Sequence, residues 1–388
     1  MDFKLTEEQQ MFHDMVTRFA KAELAPNAIE RATSEEYPWD VAETFAEMGL
    51  LGILFDEADG GVGGTLVDAV LAIQAVAESC PKSGDVIQAA NFGPVRTFVE
   101  YATPEQKARY LGDILAGKAL ISLGMTEPEA GSAVTELVTS ATPDGDDYII
   151  NGTKVFGTHS AEANLFLVYV RFGPGTGGIG SVLIERGTPG FEIGKPSSFM
   201  NGEDWSQLYF DNVRIPRENV LLGEGGFKKQ IAGFNIERLG NAARAVAVGR
   251  HAFNLARDHA MTRRQFGRAL CEFQGLQWKF AEMELKLESA QLLLMRAAVN
   301  GMDSLPSAHE TALAKLACNE AGYFAANEAV QILGGLGFSS ESTAQYCLRR
   351  TRGWMIAGGS IEIMKNRIAE GVFGRRFDQR PPRTMAVE

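Results

Sequence analysis

The periodicity of the chain changes twice, and neither a pure helix bundle nor a pure sheet can accommodate that order. From Thr6 to about Lys118 the pattern is helical, starting with the capping-box pair Thr6 and Gln9 and an apolar stripe at Phe12, Met15, Val16 and Phe19. Gly60, Gly61, Gly63 and Gly64 mark a loop, and Thr103-Pro104 starts another helix. Between about Ile121 and Val220 the texture becomes short β-type runs at Tyr148–Ile150, Leu165–Val170, Ser181–Ile184 and Leu208–Phe210. Asn151-Gly152 reads as the hairpin turn between two such runs, since both residues tolerate positive φ. Past Gly223-Glu224-Gly225-Gly226 the helical period returns almost to the end, with breaks near Gly301–Pro306 and at Gly334-Gly335-Leu336-Gly337. The expectation is an α+β protein of three units: an N-terminal helical domain (1–120), a middle β-barrel-like domain (121–225) and a C-terminal four-helix bundle (226–388). A cleft between such units is the usual place for a ligand.

Composition narrows the partners. The 388 residues, 45% of them apolar, can bury a core in each unit. A formal net charge of −12 leaves no surplus of cations to neutralise phosphates, so nucleic acid is not expected. Cys80, Cys271, Cys318 and Cys347 are scattered, with neither a CxxC pair nor zinc-site spacing, so no metal is expected and a reducing cytoplasm fits. The opening Met1-Asp2-Phe3-Lys4 lacks a basic segment followed by an apolar one, and stretches such as Leu50–Phe55 are too short to span a membrane. A soluble, cytoplasmic protein is expected.

At the junction of the first two units stands Met125-Thr126-Glu127-Pro128-Glu129-Ala130-Gly131-Ser132-Ala133. Alone, such a cluster is more readily a surface turn than a site. Three further segments accompany it: Asn151-Gly152-Thr153-Lys154-Val155-Phe156-Gly157-Thr158; Arg263-Arg264-Gln265-Phe266-Gly267 followed by Glu272-Phe273-Gln274; and Gln331-Ile332-Leu333-Gly334-Gly335-Leu336-Gly337-Phe338. In this order they resemble the TEPxxGSD, NGxKxWIT, RxxFG…Q and QxxGGxGF signatures of the acyl-CoA dehydrogenase family, and the resemblance covers essentially the whole chain. It implies an acyl-CoA dehydrogenase-like fold, FAD as cofactor and an acyl-CoA thioester as substrate. It places Met125, Thr126, Phe156 and Thr158 at the flavin ring, where an aromatic face excludes water and a hydroxyl donates to a heteroatom. Ser132 would lie near the phosphopantetheine or pyrophosphate. Arg263, Gln265, Phe266 and Gln274 would reach the FAD of a neighbouring subunit, with Arg263 offering a charge-assisted contact to pyrophosphate. Gln331, Gly334, Gly335, Ser360 and Glu362 complete the implied cofactor set, the glycines allowing close backbone approach. The plain structural readings are a core strand residue for Phe156, solvated helix-end charges for Arg263 and Arg264, and a helix C-cap for the glycines.

Desaturating a thioester needs a carboxylate to remove the α proton while hydride leaves the β carbon for the flavin N5. Many family members carry that glutamate in a Y-E-G-T segment, but the matching stretch here is Ile356-Ala357-Gly358-Gly359-Ser360-Ile361-Glu362, with Gly358 at the glutamate position. Gly358 retains an N–H for the thioester carbonyl. Other members hold the base on the helix after the β domain, in an LDxER or QER segment, and Phe234-Asn235-Ile236-Glu237-Arg238 matches it. Glu237 is therefore the expected base and Arg238 a structural charge or loop partner. Asn235, Arg238, Ser132 and Asp85 are assigned to the substrate. The plain reading of Glu237 is a solvated helix carboxylate.

Three positions depart from the family pattern: Ala133 for Asp, Phe156 for Trp, and Gly157 for a β-branched residue. Non-redox relatives, the 3-sulfinopropionyl-CoA desulfinases, share the glycine at the base position and the Gly-Ser-Ala of the first motif. They also share the Tyr37-Pro38-Trp39 and Phe273–Trp278 texture. A helix from about Ser83 to Val99 is expected to line the acyl pocket, with Asp85 at its inner end repelling a sulfinate, serving as a second acid–base group for an unusual acyl chain, or being simply an N-terminal helix charge. Dehydrogenation leads on that basis. The alternatives are a non-redox elimination such as desulfination, or a flavin-bearing partner subunit of a heteromeric dehydrogenase. The resemblance further implies a homotetramer and an electron-transfer flavoprotein as acceptor.

Overall fold

A computed structural model describes residues 4–302 and 305–378; Met1–Phe3 of the opening segment lie outside the described residues. The first unit holds helices Glu7–Phe19, Ala28–Thr33, Trp39–Glu47, Leu66–Ala77, Gly84–Asn91, Gly93–Tyr101 and Pro104–Leu115. Their starts are written in the sequence. The Thr6 hydroxyl accepts the Gln9 N–H at 3.2 Å while the Gln9 side chain accepts the Thr6 N–H at 3.1 Å, and Thr103 with Gln106 repeats the device. Leu66–Ala77 is apolar on nearly every face and is buried accordingly, at the centre of the main core. The stretch expected as one helix from Ser83 to Val99 is two. Phe92 is extended (φ −125°, ψ −175°) and Gly93 has φ +66°, so the chain turns between Asn91 and Gly93.

The second unit is an eight-stranded sheet. Its path runs Val220–Leu222, Ile179–Glu185, Leu165–Arg171, Ser140–Asp144, Asp147–Lys154, Leu208–Pro216, Phe191–Ile193, and Ile121–Gly124 pairs in parallel with Leu165–Arg171. Leu165–Arg171 is buried on both faces because its alternating side chains join two apolar clusters. Phe166, Val168 and Val170 join the main core, whereas Leu165, Leu167 and Tyr169 join a second cluster under helices Gly93–Tyr101 and Pro104–Leu115. Asn151-Gly152 is not a hairpin turn. It lies inside the strand Asp147–Lys154, at a register shift against Leu208–Pro216. Gly152 is there because a Cβ would strike Thr139, at 2.7 Å from its Cα, so the pair marks a bulge with close backbone approach. The turn that joins Ser140–Asp144 to Asp147–Lys154 is Gly145-Asp146, with Gly145 at φ +64°.

The third unit is built on helix Phe227–Thr262, joined by Gln274–Val299, Ala308–Leu333, Thr343–Trp354 and Ile361–Phe373. Phe227–Thr262 and Ala308–Leu333 approach closely because their facing residues are small. A Cβ on Gly249 would stand 2.7 Å from the Gly322 Cα, and one on Gly322 would overlap the Ala245 carbonyl. The first of these helices also packs on Leu66–Ala77 and Gly84–Asn91, so its N-terminal half lies where all three units meet.

Candidate active site

Glu237 sits three turns into the long helix and is half-buried. Its Oε2 accepts a hydrogen bond from Gln88 Nε2 at 2.7 Å, across the interface with helix Gly84–Asn91. The turn after that helix supports the same oxygen, since a Cβ on Gly93 would lie 3.2 Å from it. Arg238 turns to the other side: its Nε donates to the Gly358 carbonyl at 3.2 Å and its Nη1 to Asn235 Oδ1 at 3.2 Å. Asn235 in turn donates to the Pro306 carbonyl at 3.1 Å. Gly358 and Gly359, at φ +70° and +91°, form the bend between Thr343–Trp354 and Ile361–Phe373. The Gly358 carbonyl is thus engaged, while its N–H finds no acceptor among the described residues. Ser360 caps the last helix by accepting the Ile363 N–H at 3.4 Å, with Glu362 in the first turn.

A lysine lies beneath this bend. Lys315 is fully buried, and its Nζ donates to Asn319 Oδ1 at 2.9 Å and to the Trp354 carbonyl at 3.0 Å. Asn319 continues the chain by donating to Asn241 Oδ1 at 2.9 Å. A Cβ on Gly358 would stand 3.6 Å from the Lys315 Cε. Burial pushes the Glu237 carboxyl up to about 7, against the pull of Arg244, Lys315, the Gln88 hydrogen bond and Arg238. Burial and the nearby Arg238 bring Lys315 down to about 7, with Glu237 opposing. Each group's charge thus opposes the effect of burial on the other.

Behind Gln88 the interior is ionic. Arg244 Nη1 and Arg350 Nη2 each bond Asp85, at 2.7 and 2.9 Å, and Arg350 also bonds Glu203. Burial favours the neutral acid, yet the two guanidiniums win and hold Asp85 below the ordinary carboxylate range. Asp85 is therefore not an open acid. Both its oxygens are occupied, and its charge cannot repel an anion as the sequence suggested.

The first two motifs come together. The Val155 N–H donates to the Thr126 carbonyl at 2.9 Å, and the Ser122 hydroxyl to the Thr158 carbonyl at 2.8 Å. A buried ion pair fastens them: Lys154 Nζ lies 2.8 Å from Glu127 Oε1 and also reaches the Met125 carbonyl at 3.3 Å. Glu127 further accepts the N–H groups of Val138 and Thr139. Phe156 stands at φ +59°, 55% exposed, with its ring centroid 4.5 Å from that of Trp205. It is not a core residue, contrary to the plain reading; with Trp205 it forms an open aromatic shelf beside Thr126 and the exposed Thr158. Ser132 is exposed on the same loop.

Other expected residues lie apart from Glu237 in one chain. Arg263, Gln265 and Phe266 belong to an exposed hairpin after the long helix, with Gln274 exposed at the start of the next; Phe266 is 95% exposed at φ +48°. Gln331, Gly334 and Gly335 lie at the exposed end of Ala308–Leu333, where Gly334 is the C-cap. Sequence reasoning missed Gln88, Lys315, Arg244, Arg350 and Trp205. Lys315 had a signal, since it falls on the same helical stripe as the buried Thr311, Cys318, Asn319 and Gly322.

The interdomain carboxylate Glu237, the Gly358 bend with its free N–H and the exposed aromatic shelf of Phe156 and Trp205 are the features of this chain that could serve a carbonyl compound and a flat cofactor. Models of the acyl-CoA dehydrogenase N-terminal, middle and C-terminal domains match residues 6–118, 122–213 and 224–373. The chain belongs to the acyl-CoA dehydrogenase family of enzymes. It is 33% identical to a short-chain specific acyl-CoA dehydrogenase of Clostridium acetobutylicum, over 96% of this chain and 100% of that protein. It is 32% identical to a 3-sulfinopropanoyl-CoA desulfinase of Paraburkholderia xenovorans, over 97% and 99%. Butyryl-CoA dehydrogenase from Megasphaera elsdenii superposes with a TM-score of 0.89 at 30% identity, covering 96% of this chain and 100% of that one. No helix of the described residues is long and apolar enough to cross a membrane.

Proposed function

We propose that this chain catalyses FAD-dependent α,β-dehydrogenation of an acyl-CoA thioester, with Glu237 as the α-proton base. The observation that carries this is Glu237 itself. It is held by Gln88 with one oxygen left over, beside the Gly358 bend, and raised to about 7, where a carboxylate can take a proton at neutral pH. The Gly358 N–H donates to the thioester carbonyl, acidifying the α carbon that Glu237 addresses. Arg238 fixes the bend by holding the Gly358 carbonyl. The Phe156–Trp205 shelf, with the Thr158 hydroxyl and the Met125–Thr126 backbone, fits a flat heteroaromatic ring. When bound there, FAD supplies the hydride acceptor for the β carbon. Ser132, Gln331, Gly334, Gly335, Ser360 and Glu362 are assigned to cofactor or CoA from the family pattern. Arg263, Gln265, Phe266 and Gln274 are assigned to a neighbouring subunit's FAD, and the almost complete exposure of Phe266 suits a residue that finishes its packing on another chain. The family pattern supports a homotetramer reoxidised by an electron-transfer flavoprotein, and the scattered cysteines fit a cytoplasmic setting.

One observation favours a second reading. Arg244 and Arg350 consume the charge of Asp85, which removes the objection to an anionic acyl group and allows elimination such as desulfination. Anaerobic titration of the FAD-loaded protein with a panel of acyl-CoAs separates the two. Dehydrogenation bleaches the flavin in the wild type, with at least about a hundredfold slower bleaching in Glu237→Gln. A persistently oxidised flavin together with sulfite release from 3-sulfinopropanoyl-CoA overturns it in favour of elimination.

A further inference from the structure

The aromatic shelf stands where a strand has just ended. Asp147–Lys154 pairs with Leu208–Pro216 as far as Lys154 and Leu208, and beyond that step the chain leaves the sheet. Two residues on, Phe156 has φ +59°, a left-handed backbone that a bulky residue holds only where its surroundings fix it from both sides. On the far side the Thr158 carbonyl accepts the Ser122 hydroxyl at 2.8 Å. On the near side stands Lys154, 1% exposed, with its ammonium turned inward to Glu127, itself 4% exposed. Glu127 gathers three segments of chain. Its Oε1 accepts Lys154 Nζ at 2.8 Å and the Thr139 N–H at 2.9 Å, while its Oε2 accepts the Val138 N–H at 2.7 Å. Lys154 donates a further bond to the Met125 carbonyl at 3.3 Å. The turn between Glu127 and Ala130 is closed by reciprocal main-chain bonds of 3.2 and 3.1 Å, so the loop that carries Thr126 moves with the Glu127 carboxylate.

We infer that the Lys154–Glu127 pair is the positioning element of the flavin site: it locks the Met125–Thr126 loop to the Phe156 shelf, and the protein retains FAD only while both members are charged. This deepens the proposed function and rests on its placement of the flavin ring at that shelf. A buried ion pair adds little to stability over packed apolar side chains, so its use here lies in what it places. One ammonium between one carboxylate and one carbonyl sets the spacing of the two edges that would hold the ring. A neutral Lys154 leaves Glu127 as a buried charge without a counter-ion, which has to take a proton or admit water, and the loop is released in either case. Burial favours the neutral acid at Glu127, yet Lys154 and the N–H donors outweigh it and keep the carboxyl below its ordinary value. Burial brings Lys154 down to about 8, with Glu127 the charged group that opposes it. The lock is therefore closed at neutral pH and opens as pH rises beyond that value.

The test follows release of FAD from the holoprotein on dilution, read as the rise in flavin fluorescence, together with the visible spectrum of the bound flavin. Release from the wild type is expected to quicken at least about fivefold between about pH 7 and about pH 9.5. Lys154→Met should release FAD at least about fivefold faster than the wild type already at neutral pH, with an altered flavin spectrum. Lys154→Arg, whose head stays charged, should hold FAD across the same range with no acceleration. A wild-type rate that does not change with pH overturns the requirement for charge, whether or not any variant folds. The same acceleration in Lys154→Arg assigns the titration to another group and overturns it too. Phe156→Ala separates the lock from the placement of the ring. If it alters release and spectrum while a folded Lys154→Met protein does not, the lock alone is overturned; if neither variant alters them, the flavin placement falls and the inference with it.

Discussion

Glu237 and Lys315 are within each other's field, and the charge of each favours the charged form of the other. The base acts when ionised, so bleaching rates rise as pH rises through about 7. A cationic Lys315 favours the ionised carboxylate and lowers the pH at which it forms, together with Arg244 and Arg238. Lys315→Met therefore moves the acid limb of the pH–rate profile upward by roughly one unit, and Lys315→Arg restores part of it if the larger head can be seated. An acid limb that stays put, measured by stopped-flow bleaching at saturating substrate, would reduce Lys315 to a strut for the Trp354 carbonyl. The sequence pointed at Glu237 through its pairing with Gly358, since a missing carboxylate in one place demands another. It did not point at Gln88, because a glutamine on a mixed helix carries no chemistry until the facing helix is known.

Glycines explain where elements were misread. A glycine after asparagine predicts a turn because both residues tolerate positive φ, but Gly152 is required for a different reason, the approach of Thr139 to the middle of a strand. The true turn at Gly145-Asp146 carries the weaker signal. Gly93 divides what reads as one helix, because the facing residue that excludes a side chain there is Glu237, about 140 positions away. Helix starts were legible, as the Thr6 and Thr103 capping boxes show, because a cap is made within four residues. Gly240 gives a prediction of opposite signs. In an open helix Gly240→Ala would stabilise by about 1 kcal/mol. Here the added methyl meets Gln88 and Phe92, so a loss of about 1–3 kcal/mol in denaturant unfolding is expected, together with slower bleaching as Gln88 is pushed from Glu237. A stabilised Gly240→Ala protein would show that the two helices are free to separate.

The three units are joined by charge as well as by apolar packing. Asp85 belongs to the first, Glu203 to the β-rich middle, and Arg244 and Arg350 to the last. Arg350 alone touches both acids, and its guanidinium also lies 4.8 Å from the Trp354 ring centroid. Arg350→Met leaves Glu203 with only Asn201 and His159 beside it and Asp85 with Arg244 alone, and a loss of about 3–5 kcal/mol is expected by thermal or chemical unfolding. Adding Asp85→Asn should cost less than the sum of the single changes, the deficit measuring the coupling. Strict additivity would mean that the cluster does not act as one body. The overall order of helices, sheet and helices was readable because periodicity is local. This cluster was not, because residues 85, 203, 244 and 350 meet only after all three units have docked.

Gly358 lies over the stem of Lys315, 3.6 Å from where its Cβ would be, and its φ of +70° is one that a residue with a side chain adopts only under strain. A glutamate placed on that bend would have to hold this left-handed backbone against the preference of any residue with a Cβ. The bend is thus shaped to present a backbone N–H and not a side chain, which leaves the helix, where Glu237 stands, as the unstrained place for a carboxylate.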